Sequence, residues 1–335
     1  MTKLHTIIMS FVIILTIPYI GHSDLNRMQS FHLEKGWNAI FLEINPEEKD
    51  TDKVFSSLAI DQVATFYPQS TSVQYIKDPS ENWKHEGWLK WVPPDSPYAF
   101  LKNLYHLHAA QAYLIHASET IVWQVKGEAT FSHPRWRPNS FNLTGFYIDP
   151  DNPPSFATYF ENSKAHAHLL IYDLINNQWK KITDPQTHFI QSGKAYWVYC
   201  QGESDYMGPL DITLPMEDAL AFHLFSSRLR IDLKNTTEFP ITCQFESIAG
   251  LNNEPNVSLS LRSSHAVQNV ISDDLSNNSQ QTLESEQQKT LYFEVRRDRM
   301  QTGTYHSLLK LRGGGSCFYI PVSAIVIDKV SNSYK

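Results

Sequence analysis

Short runs of apolar and β-branched residues, separated by turn residues, recur along the chain and predict strands rather than long helices. The densest run is at residues 192–200, where a turn containing Gly193 precedes Ala-Tyr-Trp-Val-Tyr-Cys. A weaker form of the same pattern occupies residues 107–116, where Ala110 stands in place of the turn glycine. The pattern therefore predicts two related buried strands.

Other landmarks recur in the same order, which indicates an internal duplication. Gly-Trp-Asn-Ala-Ile-Phe at residues 36–41 matches Ser-Phe-Asn-Leu-Thr-Gly at 140–145, and a short helix is predicted after each strand. Further along, Gln178-Trp179 matches Gln74-Tyr75, and Asp184-Pro185 matches Asp78-Pro79. We predict one β-rich module at residues 31–132 and a second copy at 134–215.

The copies differ by an insertion. Pro79 and Ala112 are 33 positions apart, whereas Pro185 and Ala195 are 10 apart, so the first copy has about 23 extra residues, at 80–102. Inserted loops on a rigid scaffold are common binding sites. Exposed aromatic faces there would suit sugar rings or proline-rich peptides, and a self-packed loop covering the module edge is the competing interpretation. The candidate ligand-binding residues are Trp83, Trp88, Trp91 and Tyr98.

Residues 217–330 change to clean alternation of apolar and polar positions, as at residues 229–233 and 291–295. Short alternating strands separated by Asn, Gly and Pro turns predict an antiparallel, immunoglobulin-like sandwich. The polar stretch at 273–289 is predicted to be a solvated loop. The expected fold class is all-β: two related modules with short helices, followed by the sandwich.

Composition adds an expectation about location. The 335 residues are 41% hydrophobic and 13% aromatic, and the formal net charge of −7 argues against nucleic acid as a partner. An apolar run at residues 7–20 after Lys3 predicts a signal peptide at 1–23, with an uncleaved N-terminal anchor as the alternative. The mature protein is expected to be exported, with no membrane span; its oligomeric state is left open.

Cysteines and histidines give weak site candidates. Cys243 and Cys317 form a candidate disulfide in the last domain, and three buried free thiols are the alternative. Two histidine pairs would each place both imidazoles on one face of an extended chain, but their positions in the repeats are not equivalent. These weak metal candidates are His106 with His108 and His166 with His168. No metal or other cofactor is expected.

The motifs also support a resemblance. Gly-Trp-Asn with an apolar strand and Asn-Pro, followed by Gln-Trp, Asp-Pro and Gly-Lys-Ala-Tyr-Trp-Val, resembles a β-rich module of large secreted bacterial proteins. That module commonly accompanies immunoglobulin-like domains. The resemblance covers residues 33–214 and is more specific in the second copy. It implies an extracytoplasmic accessory or adhesion role and provides no catalytic residues.

Three functions are consistent with these patterns. The first is an exported, non-catalytic binding or structural protein of the bacterial cell envelope or surface, with a glycan or protein ligand at the insertion. The second is a secreted polysaccharide hydrolase using acids from both modules, although turn and capping roles explain those acids adequately. The third is a surface assembly subunit whose exposed sandwich edge pairs with a neighbour. The acids concerned are Glu43, Glu47, Glu48, Asp50, Asp52, Asp149 and Asp151.

Overall fold

The computed structural model describes residues 25–67, 87–216, 218–249, 256–262, 273–275 and 279–327. The signal peptide predicted at 1–23, Trp83 and the start of the predicted insertion lie outside these ranges. The fold is all-β, as predicted, with two β-rich modules, each carrying one short α-helix, and a C-terminal immunoglobulin-like sandwich.

The first module contains two sheets packed around a core of its own. One sheet has the strand order β1-β7-β3 and the other β2-β6-β4-β5, and all pairings are antiparallel. The elements are β1 (Asn26–Leu33), β2 (Gly36–Leu42), β3 (Ile44–Pro46), α1 (Thr51–Phe55), β4 (Ile60–Phe66), β5 (Trp88–Trp91), β6 (Gln111–Ala117) and β7 (Ile121–Ala129). Asp50 caps α1 by accepting from two backbone N–H groups, as its position before the helix predicts.

The second module repeats the four-stranded sheet of the first in the order β8-β11-β9-β10. Its elements are β8 (Ser140–Thr144), α2 (Phe156–Tyr159), β9 (Ile171–Ile175), β10 (Gln178–Lys181) and β11 (Tyr196–Cys200). The pairing register is the one the sequence alignment requires: Asn38 opposes Ile115 in the first copy, and the aligned Asn142 opposes Val198 in the second.

The register corrects the position of the insertion. Trp88 lies opposite Phe66 in the first copy, and Trp179 lies opposite Leu174 at the matching place in the second. The third strand of the first copy is therefore β5, inside the stretch predicted as inserted, whereas the segment around Tyr75 lies outside the described residues. The third strand was misplaced because Gln74-Tyr75 resembles Gln178-Trp179, at the start of β10, more closely than the residues around Trp88 do.

The sandwich consists of two five-stranded sheets, ordered β12-β14-β19-β16-β17 and β13-β21-β20-β15-β18. The first six strands are β12 (Leu210–Thr213), β13 (Leu220–Phe222), β14 (Arg228–Asn235), β15 (Ile241–Ile248), β16 (Leu259–Arg262) and β17 (Asp273–Asp274). The last four are β18 (Ser279–Leu283), β19 (Gln288–Val295), β20 (Gly303–Gly313) and β21 (Ser316–Val326).

Two boundaries differ from the prediction. Strand β12 pairs with β14, so the sandwich begins before the predicted position 217 and the second module ends before 215. The polar stretch 273–289 is also not wholly a loop, because β18 pairs with β15 along an edge of the sandwich. Its Ser279 and Leu283 are buried while Gln280 and Thr282 are exposed, an edge-strand alternation that polar composition concealed.

The three units share a continuous apolar core. Each module has an apolar core of its own. In addition, the outer faces of the two four-stranded sheets pack on one another through Phe66, Trp88 and Trp197, with ring centroids 5.3–6.2 Å apart. That cluster continues into the sandwich, where Phe318 contacts Phe131 and Tyr147. The relative positions of the modules are therefore fixed by packing.

Candidate functional site

The predicted aromatic site is partly wrong. Trp88 is 4% exposed in the inter-module core and Trp91 is 0% exposed against Phe55, with its Nε1 donating to Asp52 at 2.7 Å. Neither indole can offer a face to a ligand, because both side chains of the edge strand β5 are buried. Of the candidates that the structure describes, only Tyr98 is exposed, at 61%.

An exposed aromatic patch occupies the end of the insertion instead. We define it as Tyr98, Phe100, Leu101 and Tyr105; Phe100 alone is 79% exposed. Tyr98 begins a short 3-10 turn, Ala99–Leu101, which leaves these side chains on the surface. Phe100, Leu101 and Tyr105 were not predicted from the sequence, where the tryptophans were the stronger signal. Aromatic residues beside Pro93, Pro94 and Pro97 were a usable signal for them.

The patch is fixed to the module below it. The Lys102 ammonium lies 2.5 Å from the Asp52 carboxylate, and its hydrogen bond, with that of Trp91, lowers the pKa of Asp52. Asn103 and Leu104 both donate backbone N–H groups to the Lys90 carbonyl, and so cover the free edge of β5. A short surface segment with this many anchors presents its side chains in a defined geometry.

Two clefts lie between the modules, and each is lined by the first strand of one copy and the signature turn of the other. The aromatic cleft, about 540 Å³, is lined by Phe66 and residues 109–111 of the first copy and by residues 141–147 of the second. The polar groove, about 600 Å³, is lined by residues 37–40 of the first copy and by Asn176, Asn177 and residues 191–194 of the second. The two clefts are therefore equivalent positions of the duplicated fold, with the roles of the two copies reversed.

The base of each signature strand carries a polar link that differs between the copies. In the second copy the Lys194 Nζ lies 2.7 Å from the buried Asp173 carboxylate, which the His188 ring also approaches at 3.2 Å. At the matching position of the first copy, Gln111 donates to the Thr65 hydroxyl at 2.6 Å. The ion pair of the second copy thus occupies the position of a neutral hydrogen bond in the first copy. The difference is visible only when the strand registers of the two copies are aligned.

Within the described ranges, no three His, Cys, Asp or Glu side chains are grouped to hold an ion, so neither histidine pair has a third ligand beside it. His166 is not extended as assumed: it lies in a 3-10 turn, buried against Trp136 and Phe160, whereas His168 is exposed. Burial lowers the pKa of His166 to about 4. His106 and His108 are both exposed on either side of the buried Leu107.

The predicted disulfide is also wrong. All three cysteines are buried free thiols. Cys243 is on β15 and Cys317 on β21, and β20 runs between these strands. Cys317 pairs with Arg312, which pairs with Gln244, so Cys243 and Cys317 belong to opposite faces of the sheet. Burial raises the pKa of both thiols.

The acids near the strand ends have local structural partners. Burial raises the pKa of Glu43 despite the Arg27 guanidinium 2.8 Å away and a hydroxyl of the second module, from Ser192, at 3.4 Å. The remaining pairings are Glu47 with Lys126, Glu48 with Lys53, Asp50 with the N-terminus of α1, Asp52 with Lys102, and Asp149 and Asp151 with Arg312. These contacts support turn, capping and docking roles.

Membrane-crossing helices are also absent from the described ranges, where no helix has the length and apolar character that a span needs.

Comparison with known proteins identifies no family: no family model and no curated protein matches the chain. Among solved structures, it is similar to the periplasmic chaperone SfaE, with 5% identity over 36% of this chain and 59% of that one, at a TM-score of 0.25. The CupB2 chaperone of Pseudomonas aeruginosa gives 12% identity over 32% and 52%, at 0.23. The E. coli chaperone DraB gives 9% identity over 34% and 53%, at 0.24. The chain thus spans little more than half the length of these three chaperones.

Proposed function

We propose that the chain is an exported, non-catalytic binding protein of the cell envelope or surface, and that the aromatic patch is where it holds a peptide or protein partner. The observation that supports this most directly is the exposure of Tyr98, Phe100, Leu101 and Tyr105 together on an anchored segment. Export rests on the apolar run at residues 7–20.

The chemistry of the patch favours a protein partner over a sugar. Phe100 and Leu101 have no hydrogen-bonding groups to satisfy sugar hydroxyls, and each tyrosine has only one, whereas a partner's apolar side chains would be desolvated against all four. Neighbouring exposed aromatic side chains are typical of interface centres that contribute most of the binding energy. Because Lys102 and Asn103 anchor the segment, binding a partner costs less conformational entropy.

A non-catalytic role is supported by the carboxylates of both modules, because each acid that a hydrolase would draw on has a nearby cation, cap or turn to stabilise.

A peptide array tests the proposal. The wild-type chain is expected to bind a subset of apolar or proline-containing peptides, and Tyr98→Ala/Phe100→Ala to weaken that binding at least about tenfold. Phe225→Ala is the matched control, since this phenylalanine is 94% exposed but lies on the sandwich. Unchanged binding by the double variant, or an equal loss in the control, would contradict the proposal.

A further inference from the structure

We propose that the polar groove between the modules binds a neutral saccharide, at a site separate from the aromatic patch. The groove is about 600 Å³, a size suited to one or two sugar rings. Its walls come from both modules, and its shape is fixed because the Phe41 and Ala195 amides donate across the junction to Gly193 and Ala39 carbonyls at 2.8 and 3.0 Å.

Two side-chain amides line the groove with their hydrogen-bonding capacity unused. Asn176 and Gln191 are exposed, and neither side chain has a hydrogen-bond partner in the described part of the chain. Each amide offers two donors and one acceptor oxygen. A carboxamide can therefore pair with neighbouring hydroxyl groups of a sugar, which are themselves donors and acceptors.

The backbone beneath these amides is rigid. Asn176 and Asn177 have φ angles of 51° and 64° in the two-residue turn joining β9 to β10. The Asn177 side chain accepts the backbone N–H of Trp37, which fixes the turn to the other module. The Gln191 backbone N–H donates to the Tyr196 hydroxyl at 3.1 Å. The backbone therefore needs little ordering on binding, and only the two free side chains have to be fixed by a ligand.

Trp37 supplies an apolar surface in the same groove. Its ring is half-buried, lines the groove, and is held edge-on against His116 at a centroid distance of 5.1 Å. The CH groups of a pyranose ring pack well on an indole. An aromatic surface beside free amides is the combination that a sugar requires.

The charges along the groove favour a neutral ligand. Lys194 is neutralised by Asp173 at 2.7 Å, and the remaining charged side chains, Lys35 and Glu34, have opposite signs. An anionic ligand would lie beside Glu34 and a cationic one beside Lys35. A ligand without formal charge meets neither repulsion.

The equivalent cleft provides an internal control. Phe141 occupies the position of Trp37 in the second copy, and His108 occupies the position of Gln191 in the first. The free amide of Gln191 is thus a feature of one junction and not a requirement of the shared fold.

The test is calorimetric titration of the full chain with maltotetraose, cellotetraose and tetra-N-acetylchitotetraose, all of which are neutral. At least one of them is expected to bind, and Asn176→Ala/Gln191→Ala to weaken it about tenfold or more through the lost hydrogen bonds. His108→Ala and Tyr98→Ala/Phe100→Ala are expected to leave the affinity unchanged, which separates this site from the aromatic patch.

Three results would overturn the proposal: no heat with any of these saccharides, saccharide affinity unaffected in the Asn176/Gln191 double variant, or peptide-array binding that the same double variant abolishes. Unfolding midpoints of the variants, measured in urea, verify that the exposed substitutions leave the fold intact.

Discussion

Ala110 stands where the second copy has Gly193, and the structure shows what that exchange costs. Both residues have left-handed backbone angles, φ 54° for Ala110 and 74° for Gly193. A Cβ atom added at Gly193 would meet only ordinary contacts, at 3.4 Å or more. The cost of alanine at this turn is therefore conformational, about 1 kcal/mol or somewhat more.

Replacing Ala110 by Gly is expected to stabilise the chain by about 0.5–1 kcal/mol, and Gly193→Ala to destabilise it by about 1 kcal/mol. Urea unfolding measures both. Stabilisation by Gly193→Ala would show that this turn is not left-handed.

His166 gives the chain an acid-sensitive component of stability. Burial lowers its pKa to about 4, below the unfolded value near 6.5, so the unfolded chain binds the proton more tightly. The contribution is complete well above pH 6.5 and is lost as the pH falls towards 4. The loss in the free energy of unfolding is about 2–3 kcal/mol at pH 4.5.

In His166→Leu we expect a shallower fall in the free energy of unfolding between pH 7 and 4.5 than in the wild type. Comparing the two cancels the titration of the carboxylates they share. Equal slopes for both proteins would contradict the buried, neutral imidazole.

Individual site residues were only partly predictable from the sequence. Tyr98, predicted as a candidate ligand-binding residue, is exposed, and its role in binding stays a prediction. Trp88 and Trp91 are buried, as the competing interpretation expected, but on an edge strand and not in a loop, because pairing with β4 is not encoded in local sequence. Asn176 and Gln191 could not be selected at all, since the groove exists only once the two modules are packed.

Among the elements, the hairpin joining β20 to β21 explains the run of three glycines. Gly314 and Gly315 have φ angles of 59° and 79°, and a Cβ on Gly315 would lie 2.8 Å from Pro154 of the second module. The hairpin can therefore approach the module closely enough for the Asp149 amide to donate to the Gly315 carbonyl at 2.9 Å.

Gly315→Ala is expected to cost about 2 kcal/mol or more, from backbone strain and the clash with Pro154. Gly202→Ala is the matched control: its φ is 72°, but nothing lies within 4 Å of an added Cβ, so only about 1 kcal/mol should be lost. If both substitutions lower stability equally in urea, the hairpin does not dock as described.

The positions of most strands could be predicted from the sequence, whereas the pairing between strands could not. Apolar runs located β2, β4, β6 and their counterparts, and alternation located most of the sandwich. The third strand of the first copy was misplaced, and β18 was taken for a loop, because both are edge strands whose partners are distant in sequence.

In the whole molecule, the two related modules pack through equivalent sheet faces and, with the sandwich, form one core. Trp88 lies at the centre of this arrangement, next to Phe66 of its own module and Trp197 of the other. The groove and the spacing between the binding surfaces depend on that packing, because each cleft combines side chains from both copies.

Urea unfolding of the wild type and Trp88→Phe, followed by tryptophan fluorescence and far-UV circular dichroism, tests this claim most directly. We predict one transition in each protein, coincident by both probes, with the whole transition of the variant moved to lower urea. Two resolved transitions, of which the substitution moves only one, would contradict a shared core.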